Sequence, residues 1–217
     1  MTRIADWDVY LVTDRAFSKG RSNREIVQAA VRGGVSAVQL REKELSTRAF
    51  LNEGLEIREM LRSAGIPLIV NDRLDIALAL DADGIHIGRD DMPIDAARRI
   101  LGPDRIIGLS VNTPDDITGP DAALADYLAV SPVFHTSTKN DITVPWGLEG
   151  LSAARALTDT HLMAIGSIKL DNARKVTAAG ADSVAVVTAI VGTEDPAEAT
   201  SALVNQVRLG KSARKRA

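Results

Sequence analysis

Residues 82–88 read ADGIHIG, and the same opening returns as ADYLAV at 125–130 and ADSVAV at 181–186. In each case Ala-Asp leads into alternating apolar residues. The runs are short, rich in β-branched residues and nearly continuous in apolar character. That is the pattern of a strand covered on both faces, as in a parallel sheet wrapped by helices.

Working outward, five further runs of the same kind appear. Together the strands are expected near 8–13, 36–41, 67–71, 83–88, 106–110, 126–131, 161–166 and 182–188. The Ala-Asp echo therefore enters the fourth, sixth and eighth strands, always an even-numbered one. Helical periodicity fills the gaps. Ser22 and Glu25 have capping-box spacing, Ile26, Val27, Ala30 and Val31 share a face, and Gly33-Gly34 ends the helix. Phe50, Leu51, Leu55, Ile57 and Leu61 define a helix over 47–64. Further helices are expected near 72–80, over 93–101 behind Pro93, after Thr113-Pro114, and over 149–158, 170–179 and 196–208. Eight strand–helix units predict an α/β fold, a single (β/α)8 TIM barrel over residues 1–210. A doubly wound open sheet fits less well, because the first strand-to-helix turn carries no glycine-rich dinucleotide fingerprint. The basic residues Lys211, Arg214, Lys215 and Arg216 are read as a disordered, solvated tail over 211–217.

Composition narrows the function classes. Lys and Arg number 26 against 29 acidic residues, so no general charge favours nucleic acid or an anionic membrane. With aromatic residues at 3%, base-stacking platforms are not expected. The absence of cysteine removes disulfides, thiolate chemistry and zinc–sulfur sites. No run approaches the roughly 20 apolar residues of a membrane span. Residues 1–9 carry Arg3, Asp6 and Asp8 and do not read as a secretion signal, so a cytoplasmic location is expected.

In such a barrel the active site lies at the carboxyl ends of the strands. The unusual polar residues collect there. Gln39, Arg41 and Lys43 lie at or just past the second strand at alternate positions, which aligns them if the segment is extended. Three donors, two of them cationic, suit a diphosphate, although a solvated strand end paired with Glu42 or Glu44 is the plainer alternative. Asn71-Asp72 and Asp91 look like hard oxygen ligands for Mg2+, although Asp72 could be a helix cap. Ser110 ends the fifth strand. Thr136, Ser137, Thr138 and Lys139 offer hydroxyls, backbone N–H groups and a cation to a phosphate. They lie in the one long loop, residues 131–148, and a loop above about 12–15 residues is often a lid or binding loop. Gly166-Ser167 and Val187-Thr188 occupy the seventh and eighth strand-to-helix loops, where many barrels hold a phosphate. His86, in the middle of the fourth strand, is read as a hydrogen-bonded core histidine.

Taken in order, YLVTDR at 10–15, QLREK at 39–43, NDR at 71–73, DGIHIG at 83–88 and DDMP at 90–93 resemble the thiamine-phosphate synthase family. IGLS at 107–110, SPVFHTSTK at 131–139, GLEGL at 147–151 and VAVVTAI at 184–190 continue the resemblance over nearly the whole chain. It implies a transferase that joins a hydroxymethylpyrimidine diphosphate to a hydroxyethylthiazole phosphate and releases pyrophosphate. It implies Gln39, Arg41, Lys43, Asn71, Ser110 and Lys139 on the pyrimidine diphosphate, with Arg41, Lys43, Lys139 and Ser110 as the catalytic set. Asp72 and Asp91 are implied as Mg2+ ligands. Thr136, Thr138, Ser167, Val187 and Thr188 are implied on the thiazole phosphate. The expected partners are these two small molecules, with no nucleic acid and no membrane, and a homo-oligomer is left open.

The chain departs from the family pattern at four places. Ser167 follows Gly166 where a second glycine is usual, Arg89 stands for Gln, Asn112 for His and Ser183 for Gly. A related thiazole tautomerase would not need the diphosphate set and would favour histidine at 112. A non-catalytic phosphate-binding sensor is the alternative from another class.

Overall fold

The computed structural model describes residues 3–135 and 144–215. Eight parallel strands form a closed barrel in sequence order. They are β1 (Val9–Val12), β2 (Ala37–Leu40), β3 (Leu68–Asn71), β4 (Gly84–Ile87), β5 (Ile106–Val111), β6 (Tyr127–Val130), β7 (His161–Ile165) and β8 (Ser183–Val186). Closure is made by β8 on β1, with Val9 opposite Val184 and Leu11 opposite Val186. Outside lie α1 (Asn23–Arg32), α2 (Thr47–Ala64), α3 (Leu74–Ala79), α4 (Ile94–Leu101) and α5 (Pro114–Thr118). The ring continues through α6 (Gly147–Ala156), α7 (Ala173–Ala178), α8 (Thr188–Val191) and α9 (Pro196–Arg214). Among the described residues, no helix is long and apolar enough to cross a membrane.

The period-2 rule sorts each strand into two faces. Val9 and Leu11, Val38 and Leu40, Leu68 and Val70, and Ile85 and Ile87 pack outward into the core shared with the helices. Tyr10, Val12, Ala37, Ile69, Tyr127, Ala129, Met163 and Ala185 fill the barrel itself with Trp7 beneath them. The expected capping box is present, with Ser22 Oγ accepting the Glu25 N–H and the Glu25 carboxylate accepting the Ser22 N–H. Such a cap is worth about 1 kcal/mol.

The helices shift by a few residues from their expected limits, and three of the differences have a plain cause. α3 begins at Leu74 because Asp72 has φ +60° and Arg73 has ψ 87°, so neither is helical. α8 is a single turn after β8, too short for periodicity to reveal. α9 runs on to Arg214, which corrects the reading of a solvated tail from residue 211. Lys211 Nζ donates to Asp8 Oδ1 at 2.7 Å and to the Trp7 carbonyl at 2.8 Å. Arg214 Nη2 donates to Asp182 Oδ1 at 2.7 Å. The tail's cations thus find carboxylates on the segments entering β1 and β8, partners that the local pattern cannot show.

Candidate active site

The inward positions of β2 to β5 change from apolar to polar near the carboxyl ends. Gln39, Asn71, His86 and Ser110 occupy them and line one cavity of about 140 Å³. Tyr10 and Val12 of β1 and Ala129, Met163, Ile165 and Ala185 of β6 to β8 supply its apolar side. The rim carries Arg41, Asp14, Ser131, Gly166, Ser167, Lys169, Val187 and Thr188. One side of a single cavity is therefore amide, imidazole and hydroxyl, and the opposite lip is formed by the seventh and eighth strand-to-helix loops.

Arg41 is half-buried and fixed. Its Nη1 donates to Asp14 Oδ2 at 2.6 Å, and its backbone N–H donates to Thr13 Oγ1 at 2.9 Å. The expected alternative partner, Glu42, turns the other way. It accepts from Arg15 Nε at 2.8 Å, and burial pushes its carboxyl up against the pull of Arg15. Lys43 is not brought to the cavity. β2 ends at Leu40 and the chain bends, so alternation no longer aligns 39, 41 and 43, and Lys43 is exposed.

Gln39, 4% exposed, donates from Nε2 to the Tyr10 hydroxyl at 3.0 Å. His86 is bonded at both ring nitrogens, Nδ1 to the Tyr127 hydroxyl and Nε2 to Ser110 Oγ, each at 3.0 Å. It is hydrogen-bonded as expected, yet it also forms part of the cavity wall. Tyr10, Tyr127, Asp14 and Lys169 were not singled out from the sequence. Inward strand parity marks Tyr10 and Tyr127, and nothing local marks Lys169.

Asp72 stands at the β3 exit in a left-handed turn, its N–H donating to the His86 carbonyl at 2.9 Å. Asp91 follows β4, and its Oδ2 accepts the Gly88 N–H at 2.7 Å. Asp91 lines a neighbouring groove that also contains Ser110, so the serine forms a wall common to both spaces. Among the described residues, no group of three or more acidic or histidine side chains is gathered tightly enough to hold a metal ion alone.

The seventh loop is shaped by a glycine with no alternative. At Gly166, φ is +112° and an added Cβ would meet Pro132 Cβ at 2.7 Å and Val133 N at 2.9 Å. Ser167 has φ +51°, so the position does demand the left-handed region. Its Oγ donates to the His135 carbonyl at 2.5 Å, and its own carbonyl accepts from Asn172 Nδ2 at 3.1 Å. The long sixth loop is pinned at its base: Val133 N–H donates to the Ile165 carbonyl at 2.8 Å and Gly147 N–H to the Val133 carbonyl at 2.9 Å. Thr136, Thr138 and Lys139 lie outside the described residues. Of the other departures, Asn112 Nδ2 donates to the Ser131 carbonyl at 2.6 Å and ties β5 to the end of β6. Arg89 sits 3.6 Å from Asp116 on the surface, and Ser183 Oγ pairs with His161 Nε2 at 2.8 Å.

A polar floor at the carboxyl ends of β2 to β5, beside Arg41 and the seventh and eighth strand-to-helix loops, stands where a barrel enzyme carries its small-molecule site. Comparison with known proteins narrows the class. The family described as thiamine monophosphate synthase matches residues 9–190. A thiamine-phosphate synthase from Albidiferax ferrireducens is 50% identical over 188 residues, 87% of this chain and 86% of that protein. One from Chloroflexus aurantiacus is 48% identical over 90% of each chain. The solved thiamine phosphate pyrophosphorylase from Pyrococcus furiosus superposes with a TM-score of 0.88 at 36% identity, covering 96% of this chain and 98% of that one. The chain belongs to the thiamine monophosphate synthase family and is a transferase of thiamine biosynthesis.

Proposed function

We propose that the barrel joins hydroxymethylpyrimidine diphosphate to hydroxyethylthiazole phosphate, giving thiamine phosphate and pyrophosphate, by a dissociative displacement. The observation that carries this reading is the two-sided cavity. Gln39, Asn71 and Ser110 with Arg41 stand on one side, and Ser167, Val187 and Thr188 stand on the other. Two phosphorylated substrates need two such sides.

In this reading the diphosphate lies against Arg41, Asn71 and Ser110, with Lys43 and Lys139 as outer cations. Arg41 is suited to the task because its planar guanidinium can hold Asp14 with one nitrogen and present others to phosphate oxygens. The C–O bond to the diphosphate breaks first, and the electron pair leaves with pyrophosphate. The aminopyrimidine disperses the positive charge on its methylene carbon until the thiazole nitrogen supplies the new bond. The protein therefore needs no Ser–His or Cys–His nucleophile. It needs positive charge and N–H or O–H donors placed where negative charge grows. Thr136, Thr138, Ser167, Val187 and Thr188 are assigned to the thiazole phosphate.

The acidic donor set fits Mg2+. Asp72 and Asp91 offer two hard carboxylates from adjacent strand ends, and an ion of this kind completes its shell with water and substrate phosphate oxygens. Asp72 and Asp91 would hold it, and it would neutralise the departing diphosphate. A cytoplasmic site of action, with the two small molecules as partners, belongs to the same proposal.

The test is pyrophosphate release from the purified protein given both substrates, with Mg2+ and with EDTA. Release that needs both substrates and the metal supports the reading. Binding without release under every condition would favour a sensor.

A further inference from the structure

In the wall of the cavity a run of hydrogen bonds crosses five strands. Gln39 Nε2 donates to the Tyr10 hydroxyl, which meets the Tyr127 hydroxyl, which meets His86 Nδ1; His86 Nε2 then meets Ser110 Oγ. Every link is 3.0 Å long. Tyr10 is 1% exposed and Tyr127 fully buried. The neighbouring backbone is shaped around this arrangement. Gly108 lies opposite Tyr127 in the β5–β6 ladder, and a Cβ there would come within 1.9 Å of Tyr127 Cζ. A glycine inside a strand weakens it, and here it admits the tyrosine ring.

Counting protons gives the run a direction. The Gln39 amide nitrogen can only donate, so the Tyr10 oxygen accepts and the Tyr10 proton must go onward. Burial drives both phenol pKa values upward, so both hydroxyls keep their protons. Tyr10 donates to Tyr127, and Tyr127 donates to Nδ1 of His86. The imidazole then carries its proton on Nε2, which donates to Ser110 Oγ. The Ser110 proton is left over at the wall between the cavity and the Asp91 groove. Had the histidine been doubly protonated, Tyr127 would have to turn its proton back to Tyr10, and one buried donor would be stranded.

We propose that Tyr10, Tyr127 and His86 form a positioning chain that holds His86 as the neutral Nε2–H tautomer and thereby fixes Ser110 as a hydrogen-bond donor to the diphosphate. The assignment of Ser110 to that ligand rests on the function proposed above. The chain itself does not. Its consequence concerns an anion: a serine whose proton is free can donate to a phosphate oxygen, whereas one that spends its proton on His86 cannot. The opposite direction requires Gln39 to present its oxygen to Tyr10. His86 would then carry its proton on Nδ1, and Ser110 would spend its own proton on Nε2.

The two directions differ at one observable atom. Nitrogen-15 spectra of the imidazoles in the free wild-type protein near pH 7 would report which His86 nitrogen is protonated. The chain has only two other histidines, His135 and His161, and loss of signals in His86→Asn assigns the ring. A proton on Nε2 with a bare Nδ1 is expected. A proton on Nδ1, or on both nitrogens, overturns the proposal. This reading needs no turnover, so it stands or falls separately from the synthase reaction. Tyr127→Phe then tests the functional half. It should weaken inorganic pyrophosphate and raise KM for the diphosphate substrate about tenfold, the size of one charge-assisted hydrogen bond. Ser110→Ala should add little in that background. Independent, multiplicative effects of the two changes would show that the chain does not govern the serine.

Discussion

Arg41 Nη1 and Asp14 Oδ2 lie 2.6 Å apart at the rim of the cavity, while the other Asp14 oxygen accepts the Ala16 N–H at 3.0 Å. One carboxylate therefore ends the β1 exit turn and holds the guanidinium that follows β2. Glu42 and Arg15, the next residue on each side, make the reciprocal pair at 2.8 Å. The two loops are interlocked by crossed charges, which places Arg41 before any substrate arrives.

Asp14→Asn keeps the acceptor for Ala16 and removes the countercharge of Arg41. Leaving a half-buried cation unpaired is expected to lower stability by about 1–2 kcal/mol, since some solvent reaches the pair. An anion that binds Arg41 should restore it. Inorganic pyrophosphate is thus expected to raise the melting temperature of the variant more than that of the wild type. Turnover should fall about tenfold, because the guanidinium is no longer held. Equal stabilisation of both proteins by pyrophosphate would remove Asp14 from this role.

Ser167 offers a test of strain against hydrogen bonding. A non-glycine residue at φ +51° costs roughly 1 kcal/mol, and the bond from Oγ to the His135 carbonyl returns a similar amount. Ser167→Ala keeps the strain and loses the bond, so it is expected to destabilise by about 1 kcal/mol. Ser167→Gly loses the bond and the strain together and should be nearly neutral. Urea midpoints of the three proteins give the order directly, and an alanine variant as stable as the glycine one would contradict the account.

The barrel was legible because its signals are local. β-Branched apolar runs, the Ser22–Glu25 cap and the proline-led turns each declare themselves within a few residues, and every expected strand lies within two residues of the observed one. Gln39, Arg41, Asn71 and Ser110 were legible by their place at strand exits. Lys43 lies apart from the cavity because alternation holds only while backbone is extended, and β2 stops at Leu40. The bond between Tyr10 and Tyr127 joins residues 117 apart, brought together only by barrel closure, so no window of sequence contains it. The left-handed backbone at Ser167 is another such feature, since a serine does not announce positive φ.

The end of α9 makes the same point in energy. Lys211 bonds Asp8 and the Trp7 carbonyl, and Arg214 bonds Asp182. A chain ending at residue 210 would lose all three contacts. Asp8 would keep Arg208 at 2.8 Å, which limits the damage. A loss of about 2 kcal/mol is expected, visible as a lower urea midpoint with turnover per folded molecule unchanged. A truncated protein of full stability would return residues 211–214 to the status of a solvated tail.

His161 ties acid stability to this same pole of the barrel. Burial, reinforced by the nearby cations Lys211, Arg155 and Arg214, lowers its pKa from 6.5 to about 4, against the attraction of Asp182. The unfolded chain therefore takes up a proton near pH 6.5 that the folded chain refuses until about pH 4. Stability from this residue is complete above pH 6.5 and drains away as pH falls through that window, by on the order of 2–3 kcal/mol at its lower end. Asp182 acts in the same direction at lower pH: burial would raise its carboxyl, but the Leu162 N–H and Arg214 outweigh it and hold it below 3.8. Denaturation midpoints measured from pH 7.5 to 4 should fall in the wild type, and the slope between 6.5 and 4 should be shallower in His161→Gln. Identical slopes would mean that His161 titrates alike in the folded and unfolded chains and that Ser183, its partner at 2.8 Å, does not hold it neutral.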